Sequence, residues 1–396
     1  MNPSLEAPLE CNEEGVSEAS LEPAYALQTL TNPAEFDAIS NEWDALILSG
    51  LDGHPQLGAN WLKAWMQLFP ASGGIRLLTV RDTRGALVAG LPLEVVHPAK
   101  GLMSKGLRIL TPMGACAHML DWFDIPIVPE AKDHADNIIA LLVASVAQYS
   151  DWDVLDLPFM PVSLQSGAAS PLKALLKKHL PQAECSTPDD DVMLGVGKTH
   201  YFNTVKSTRT LRKRYRHIED KYPGKTLKLV IKKPYEEDFK ASYQAFLNLY
   251  NAYWQQKNLT PLFVRYKQAE AFYAQIMAAI PTKIVWSELW LGEAVVSYSL
   301  TLHASTFAMP ILIANDPAYE KDSVGILHCD QVIRHMLTLP GMRGVLLGRG
   351  SHGYKQTWAD RSIKLQSIKM YRTGWAKTRE AMDSRLKGIK QKLVSK

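Results

Sequence analysis

Residues 284–314 constrain this chain most. They read as three consecutive strands, 284–291, 293–302 and 306–314, the first two joined as a hairpin through Leu291-Gly292-Glu293. A helix at 324–337 and a short apolar strand, Val345-Leu346-Leu347, follow. An antiparallel meander that continues through a helix into one more strand is a mixed α/β arrangement.

The same order of elements occurs earlier in the chain. A strand at 25–30 precedes a helix opened by Asn32-Pro33 and running through Phe36, Ile39, Trp43 and Leu46. A second helix spans 58–69, with Leu62, Trp65 and Leu68 on one face. Strands at 75–80, 86–96 and 107–110 follow, then a helix near 132–149, a strand at 153–157 and a helix near 171–179. Residues 186–200 cross between halves and include a strand over 192–196. The second half opens with one long helix, 202–222, whose apolar stripe is Phe202, Val205, Leu211, Tyr215, Ile218 and Tyr222. A strand at 227–231 and helices at 235–256 and 267–280 lead into the meander. Each half is thus a helix pair, antiparallel strands, a helix and a strand. The predicted fold class is α/β (α+β), in two tandem halves, each a mixed, mostly antiparallel sheet flanked by helices. The repeat rests on element order and not on residue identity.

The expected divisions are an acidic disordered tail at 1–25, a first half at 26–199, a second half at 200–373 and a basic amphipathic helix at 374–396. The chain has 396 residues, 46% hydrophobic and 21% charged, which suits two or three globular domains and excludes wholesale disorder. No apolar run reaches the roughly 18 residues of a membrane-spanning helix. The four cysteines, Cys11, Cys116, Cys185 and Cys329, lie far apart and form no Cys-x-x-Cys pair. That spacing argues against a zinc site or a redox dithiol, so no metal is expected, and a reducing cytoplasm is. The N-terminus lacks the charge and apolar pattern of a secretory signal.

Charge is unevenly distributed. The net value is +4, but residues 1–25 hold six glutamates and no Lys or Arg, leaving +10 on the remainder. Residues 361–396 hold eleven Lys or Arg against Glu380 and Asp383. The body suits an anionic ligand without the density that demands nucleic acid. Two cationic faces stand out. One is Lys206, Arg209, Arg212, Lys213, Arg214 and Arg216; its readings are a solvated face or a seat for phosphates, a lipid headgroup or tRNA. The other is the C-terminal helix, with Trp375, Met382, Leu386, Ile389 and Leu393 on one stripe, which either packs on the body or touches an anionic membrane. The expected location is therefore the cytoplasm, with peripheral contact at the inner membrane as the further reading.

Two places carry chemistry. Ser323-Val324-Gly325 sits where a loop feeds a helix N-terminus, a position that favours phosphate through free N–H groups and the helix dipole, although a single glycine there is usually a turn. Gly348-Arg349-Gly350 follows a buried strand, and Tyr354-Lys355 comes within five residues, which puts two cations and a phenol at one strand end. Candidates for a general base are Asp316 and His303, with Glu288 below them. Asp316 also reads as a turn residue before Pro317, and His328 as a satisfied helix histidine. His118, beside Asp121-Trp122, is a weaker candidate for an acceptor pocket.

The ordered set Asp316-Pro317-Ala318-Tyr319, Val324-Gly325, Gly348-Arg349-Gly350 and Tyr354-Lys355-Gln356-Thr357-Trp358 resembles the GNAT-superfamily acetyltransferases of the cellulose- and exopolysaccharide-biosynthesis (BioF2-like) type. The likeness extends to the Arg-rich segment at 202–218 and to Asp151–Leu157, and is strongest in the second half. It implies two GNAT-like halves, related in fold to the Fem aminoacyltransferases. It implies acyl transfer to an amine or sugar hydroxyl with acyl-CoA as co-substrate, Ser323, Val324, Gly325, Gly348 and Gly350 near the cofactor, and Lys355 by the reacting groups. One departure is that Glu320–Gly325 supplies a single glycine where single-domain GNATs carry a fuller phosphate loop. That leaves two alternatives: an aminoacyl-tRNA-dependent Fem-like transferase, and an inactive scaffold of a polysaccharide-synthesis complex. Without a Ser-His-Asp or Cys–His arrangement, direct attack is expected, with Lys355 and Arg349 stabilising negative charge and Tyr354 protonating the leaving thiolate.

Overall fold

A computed structural model describes residues 25–97, 106–117, 119–162, 171–186, 192–351 and 353–394. His118 and nearly all of the acidic segment at 1–25 lie outside the described residues. The first half runs β1 (Ala26–Leu30), α1 (Pro33–Leu51), α2 (Ala59–Leu68), β2 (Ile75–Arg81), β3 (Leu87–Val96), β4 (Ile109–Pro112), α3 (Ala135–Gln148), β5 (Val154–Pro161), α4 (Pro171–His179), β6 (Glu184–Ser186) and β7 (Val192–Gly197). Next come α5 (Lys198–Asn203), α6 (Arg209–Lys221), β8 (Leu227–Lys232), α7 (Phe239–Gln256), α8 (Leu262–Arg265) and α9 (Ala269–Ala279). The chain then continues through β9 (Ile284–Leu291), β10 (Ala294–His303), β11 (Phe307–Asn315), α10 (Val324–Thr338), β12 (Gly344–Arg349), α11 (Tyr354–Trp358), β13 (Arg361–Tyr371) and α12 (Gly374–Val394).

All strands belong to one sheet, ordered β1-β2-β3-β4-β5-β13-β7-β12-β11-β10-β9-β8, with β6 attached to β13. Read from either edge, the pairings match: three antiparallel steps, then a parallel one, β4–β5 in one half and β11–β12 in the other. The chain is therefore a structural repeat, α/β in class, as its element order implies.

The middle of the sheet adds something the sequence reading does not contain. Each half lends its last strand to the other. β7, which follows the first half, pairs with β12; β13, which follows the second, pairs with β5; and β7 and β13 pair with each other. β13 is the longest strand, and the sequence reading stops at Tyr354-Lys355 without it. Ile363 and Leu365 alternate with Ser362 and Lys364, but a register shift between Gln366 and Ile368 breaks the period.

Two further expectations need correction. The helix read over 202–222 is broken. Thr208 adopts extended backbone (φ −61, ψ 140) and accepts the Leu211 N–H through its side chain at 3.4 Å, capping a new helix, α6. On α12 the described residues of the expected stripe do not face the body: Ala376 is fully buried, whereas Trp375 is 63% and Met382 44% exposed, and the side chains of Leu386, Ile389 and Leu393 lie outside the described ones.

The halves are joined through their cores. Period-two alternation sends Val285, Ser287 and Leu289 of β9 towards α10, and Trp286 and Glu288 towards α7. Behind that second face α9 meets α2, where Phe272 packs edge-on against Trp61 (4.9 Å) and Trp65 (6.0 Å).

Candidate active site

The parallel pair β11–β12 is hydrogen-bonded only at Phe307↔Gly344 and Ala308↔Val345. Past that point β12 leans on β7 instead, through Leu346↔Gly195, a register shift, and Arg349↔Met193. Gly348 (φ 76) and Gly350 (φ 88) hold left-handed backbone around Arg349, which only glycine adopts readily, and the Gly350 N–H donates to Val192 O at 2.8 Å. The turn aims the Arg349 guanidinium at the first half, where it lies 3.8 Å from the centroid of the Phe159 ring.

Phe159 is itself unusual. It sits in β5 at φ 60, a strained value for an aromatic residue, where Met160 pairs with Gln366 and Leu157 with Ile368. The bulge turns its carbonyl to the Phe123 N–H at 3.1 Å. Two residues before Phe123 is Asp121. Its backbone N–H donates to Gln56 Oε1 (3.1 Å), and Gln56 Nε2 donates back to Asp121 Oδ2 (2.9 Å). Asp121 is half-buried, and burial raises its pKa, opposed by the Gln56 bond and by the charges of Arg349 and Lys355.

Lys355, on the first turn of α11, donates from Nζ to Arg349 O at 2.8 Å. Burial lowers its pKa and Arg349 lowers it further, while Cys329 and Asp121 act the other way. Tyr354 turns towards α10, its hydroxyl 3.1 Å from Cys329 Sγ and its ring 4.7 Å from Trp358. Burial and Cys329 raise the phenol's pKa far above its ordinary value, so it holds its proton. Burial likewise raises the Cys329 thiol, which argues against a thiolate nucleophile. Arg349 and Lys355 thus lie within electrostatic reach of Asp121 of the first half, and all three are half-buried.

The other sequence candidates are placed elsewhere. His303 ends β10 opposite Ala308, whose partner Val345 lies at the start of β12; Arg349 is at the other end of that strand. Asp316 accepts the Ala318 N–H at 2.9 Å and caps the short turn after β11. Glu288 is buried and engaged by Ser242, by Trp290 Nε1 (2.8 Å) and by Lys232 (3.5 Å). His328 is fully buried between Ser297 Oγ (2.7 Å) and Ser287 Oγ (2.9 Å), and burial holds its pKa at about 3, so it is neutral. Ser297 donates onward to Asn315 Oδ1 at 2.8 Å.

At the start of α10, Ser323 (φ 59) makes the bend, Val324 is buried, and Gly325 lies so close to Asn315 that a Cβ would come within 2.6 Å of its Nδ2. Just before, Asp322 accepts from Lys221 Nζ (2.7 Å), Tyr222 Oη (2.7 Å) and His217 Nε2 (2.8 Å). Burial would raise this carboxyl; the three bonds prevail and hold it at about 2. They also anchor the last turn of α6 beside this terminus, while Tyr215 further up α6 bonds Asp330, two turns into α10. The helix terminus suits an anionic group through its backbone N–H groups, and Gly325 makes room for the Asn315 side chain. Among the described residues no group of three or more His, Cys, Asp or Glu could hold a metal.

Sequence reasoning missed Gln56, Phe159 and Cys329, and gave Asp121 no role of its own. The one available signal was Pro158 and Pro161 around Phe159, since proline within a strand marks a bulge or an edge.

Residues 206–356 match the Acetyltransferase (GNAT) domain family. No curated protein matches the chain. Among solved structures, FemX superposes with a TM-score of 0.59 at 10% identity, covering 87% of this chain and 96% of that one. The C-terminal domain (DUF2156) of a putative lysylphosphatidylglycerol synthetase from Agrobacterium fabrum gives 0.52 at 11%, covering 90% and 97%. A conserved protein of unknown function from Bacteroides thetaiotaomicron VPI-5482 gives 0.50 at 8%, covering 88% and 100%. The chain has a GNAT-type acyltransferase fold, with the matching domain in its second half.

Proposed function

We propose that this protein transfers an acyl group from acyl-CoA to an amine or hydroxyl acceptor, by direct attack, at the junction of its two halves. A sugar of the cell envelope or an exopolysaccharide is the favoured acceptor, on the resemblance of the Gly-Arg-Gly and Tyr-Lys segment. The observation that supports the reading is the Lys355 Nζ–Arg349 O bond of the acetyltransferase domain, set within electrostatic reach of Asp121 of the first half.

Bound acyl-CoA supplies the activated carbonyl. Ser323, Val324 and Gly325, at the N-terminus of α10, hold its phosphates. Lys355 and Arg349 stabilise the negative charge that develops on the carbonyl oxygen. Asp121, fixed by Gln56, orients the acceptor and takes its proton; the raised pKa brings it nearer to that task. Tyr354, expected from the sequence as the acid, holds its proton too firmly and faces Cys329, so the departing thiolate takes its proton from solvent. No step passes through an acyl-enzyme.

The second reading is an aminoacyl-tRNA donor. It is favoured by the α6 face, where Arg209, Arg212, Lys213 and Arg216 are exposed. A third, an inactive scaffold, requires that Lys355 and Arg349 tolerate substitution. Thermal unfolding of the full chain with acetyl-CoA, longer acyl-CoAs and charged tRNA separates the three. A ligand at about 100 times its Kd stabilises by about 2.7 kcal/mol. A shift with an acyl-CoA alone supports the first reading, a shift with charged tRNA alone supports the second, and no shift with either supports the scaffold.

A further inference from the structure

The amphipathicity of α12 is inverted relative to its own protein. The inward face is small and polar: Ala376 packs with Leu107 and Val154, and it is the sole fully buried apolar residue among the described positions of the helix. Both acids of the helix point inward as well. Glu380 accepts from Lys369 Nζ at 2.5 Å, beside Asp156, and Asp383 is 4% exposed. Thr373 Oγ1 accepts the Ala376 N–H at 3.2 Å and sets where the helix begins. Polar bonds dock the described part of this helix, and Trp375 and Met382 take no part.

Those side chains lie outward. Trp375 and Met382 are two turns apart on one face, with the Arg379 guanidinium 4.3 Å from the Trp375 ring centroid. The sequence repeats the spacing through Leu386, Ile389 and Leu393, and Lys or Arg occurs at 377, 379, 385, 387, 390, 392 and 396. With both acids turned inward, the described outward side chains include Trp375, Met382 and Arg385, while Lys377 pairs with Glu184 of the body.

We propose that α12 is a membrane-surface helix that seats this protein on anionic lipid, with Trp375 and Met382 entering the headgroup–acyl boundary and the flanking Lys and Arg meeting lipid phosphates. A second copy is the poorer occupant, because pairing this face with itself sets cation against cation with no acid left to alternate. Lipid supplies both an apolar layer and negative charge, and tryptophan is favoured at that depth.

Co-sedimentation of the full chain with phosphatidylglycerol–phosphatidylcholine vesicles and with pure phosphatidylcholine vesicles tests this. The expected result is binding to the anionic vesicles that persists at about 0.15 M salt, where charge alone is screened beyond roughly 8 Å, and little binding to the neutral ones. Trp375→Ser combined with Met382→Ser should weaken partitioning at least about tenfold. Both side chains are exposed, so circular dichroism should be unchanged. Brominated acyl chains should quench the fluorescence of the parent and quench that of Trp375→Phe less. No binding at low salt would overturn the proposal. So would equal binding by the double variant, or a dimer in sedimentation that the double variant abolishes.

Discussion

Glu94 sits on β3, 1% exposed, and holds the segment that leads to Asp121. It accepts from Trp65 Nε1 at 3.0 Å, from the Gly114 N–H at 3.1 Å and from Cys116 Sγ at 3.8 Å. Burial pushes its pKa from 4.5 up to about 7, against these three bonds. A carboxyl whose folded pKa is raised favours folding when protonated. Its contribution is fully present below the unfolded pKa and is lost as pH rises through the folded one. A rise of about 2.5 pKa units corresponds to about 3 kcal/mol lost between about pH 4 and pH 8. Glu94→Gln removes the titration. The amide also leaves one donor without an acceptor, which costs a constant amount at every pH, so the slope and not the offset is diagnostic. Urea unfolding of parent and variant across that range should show the stability gap between them shrinking by about 3 kcal/mol towards alkaline pH. A gap that stays constant would refute the reasoning.

Gly325→Ala drives a methyl into the Asn315 amide, which the Ser297–His328 chain holds in place, and should cost about 1–3 kcal/mol in urea unfolding. Asn315→Ala in the same chain should recover part of that loss, as neighbouring sites are non-additive. Phe159→Gly relieves the positive φ but removes the ring beneath Arg349, so acyl transfer should fall while stability changes little; unchanged turnover would dissociate that ring from the site. Asp121→Asn removes the proposed base and withdraws a charge that holds the Lys355 pKa up, so turnover should fall and the alkaline limb of the remaining pH–rate profile should move to lower pH. A limb that does not move would separate the two residues.

Much of the second half was legible because its patterns are local. The β9–β10 hairpin, α10 and β12 each announce themselves within a dozen residues. The partners of β7 and β13 were not legible, because strand exchange between halves is set by packing at the centre of the sheet and leaves no mark on either strand. The bulge in β13 also hides its alternation. The site divides in the same way. Arg349 and Lys355 are close in sequence and meet as one would read them, whereas Asp121 reaches them only through the Phe123–Phe159 bond and the stack on Arg349. His303 looked comparable to Asp316 in sequence, but antiparallel pairing carries it to the far end of the sheet.

The most direct measurement is steady-state acyl transfer from acetyl-CoA to a panel of amines and sugars by the parent and by Lys355→Ala, with folding checked by thermal melting. Removing one donor to a developing oxyanion costs about 100- to 1,000-fold in kcat. A drop of that order in a variant that melts as the parent does is the expected result. A folded Lys355→Ala protein with the parent's turnover would place the chemistry somewhere other than the junction of the two halves.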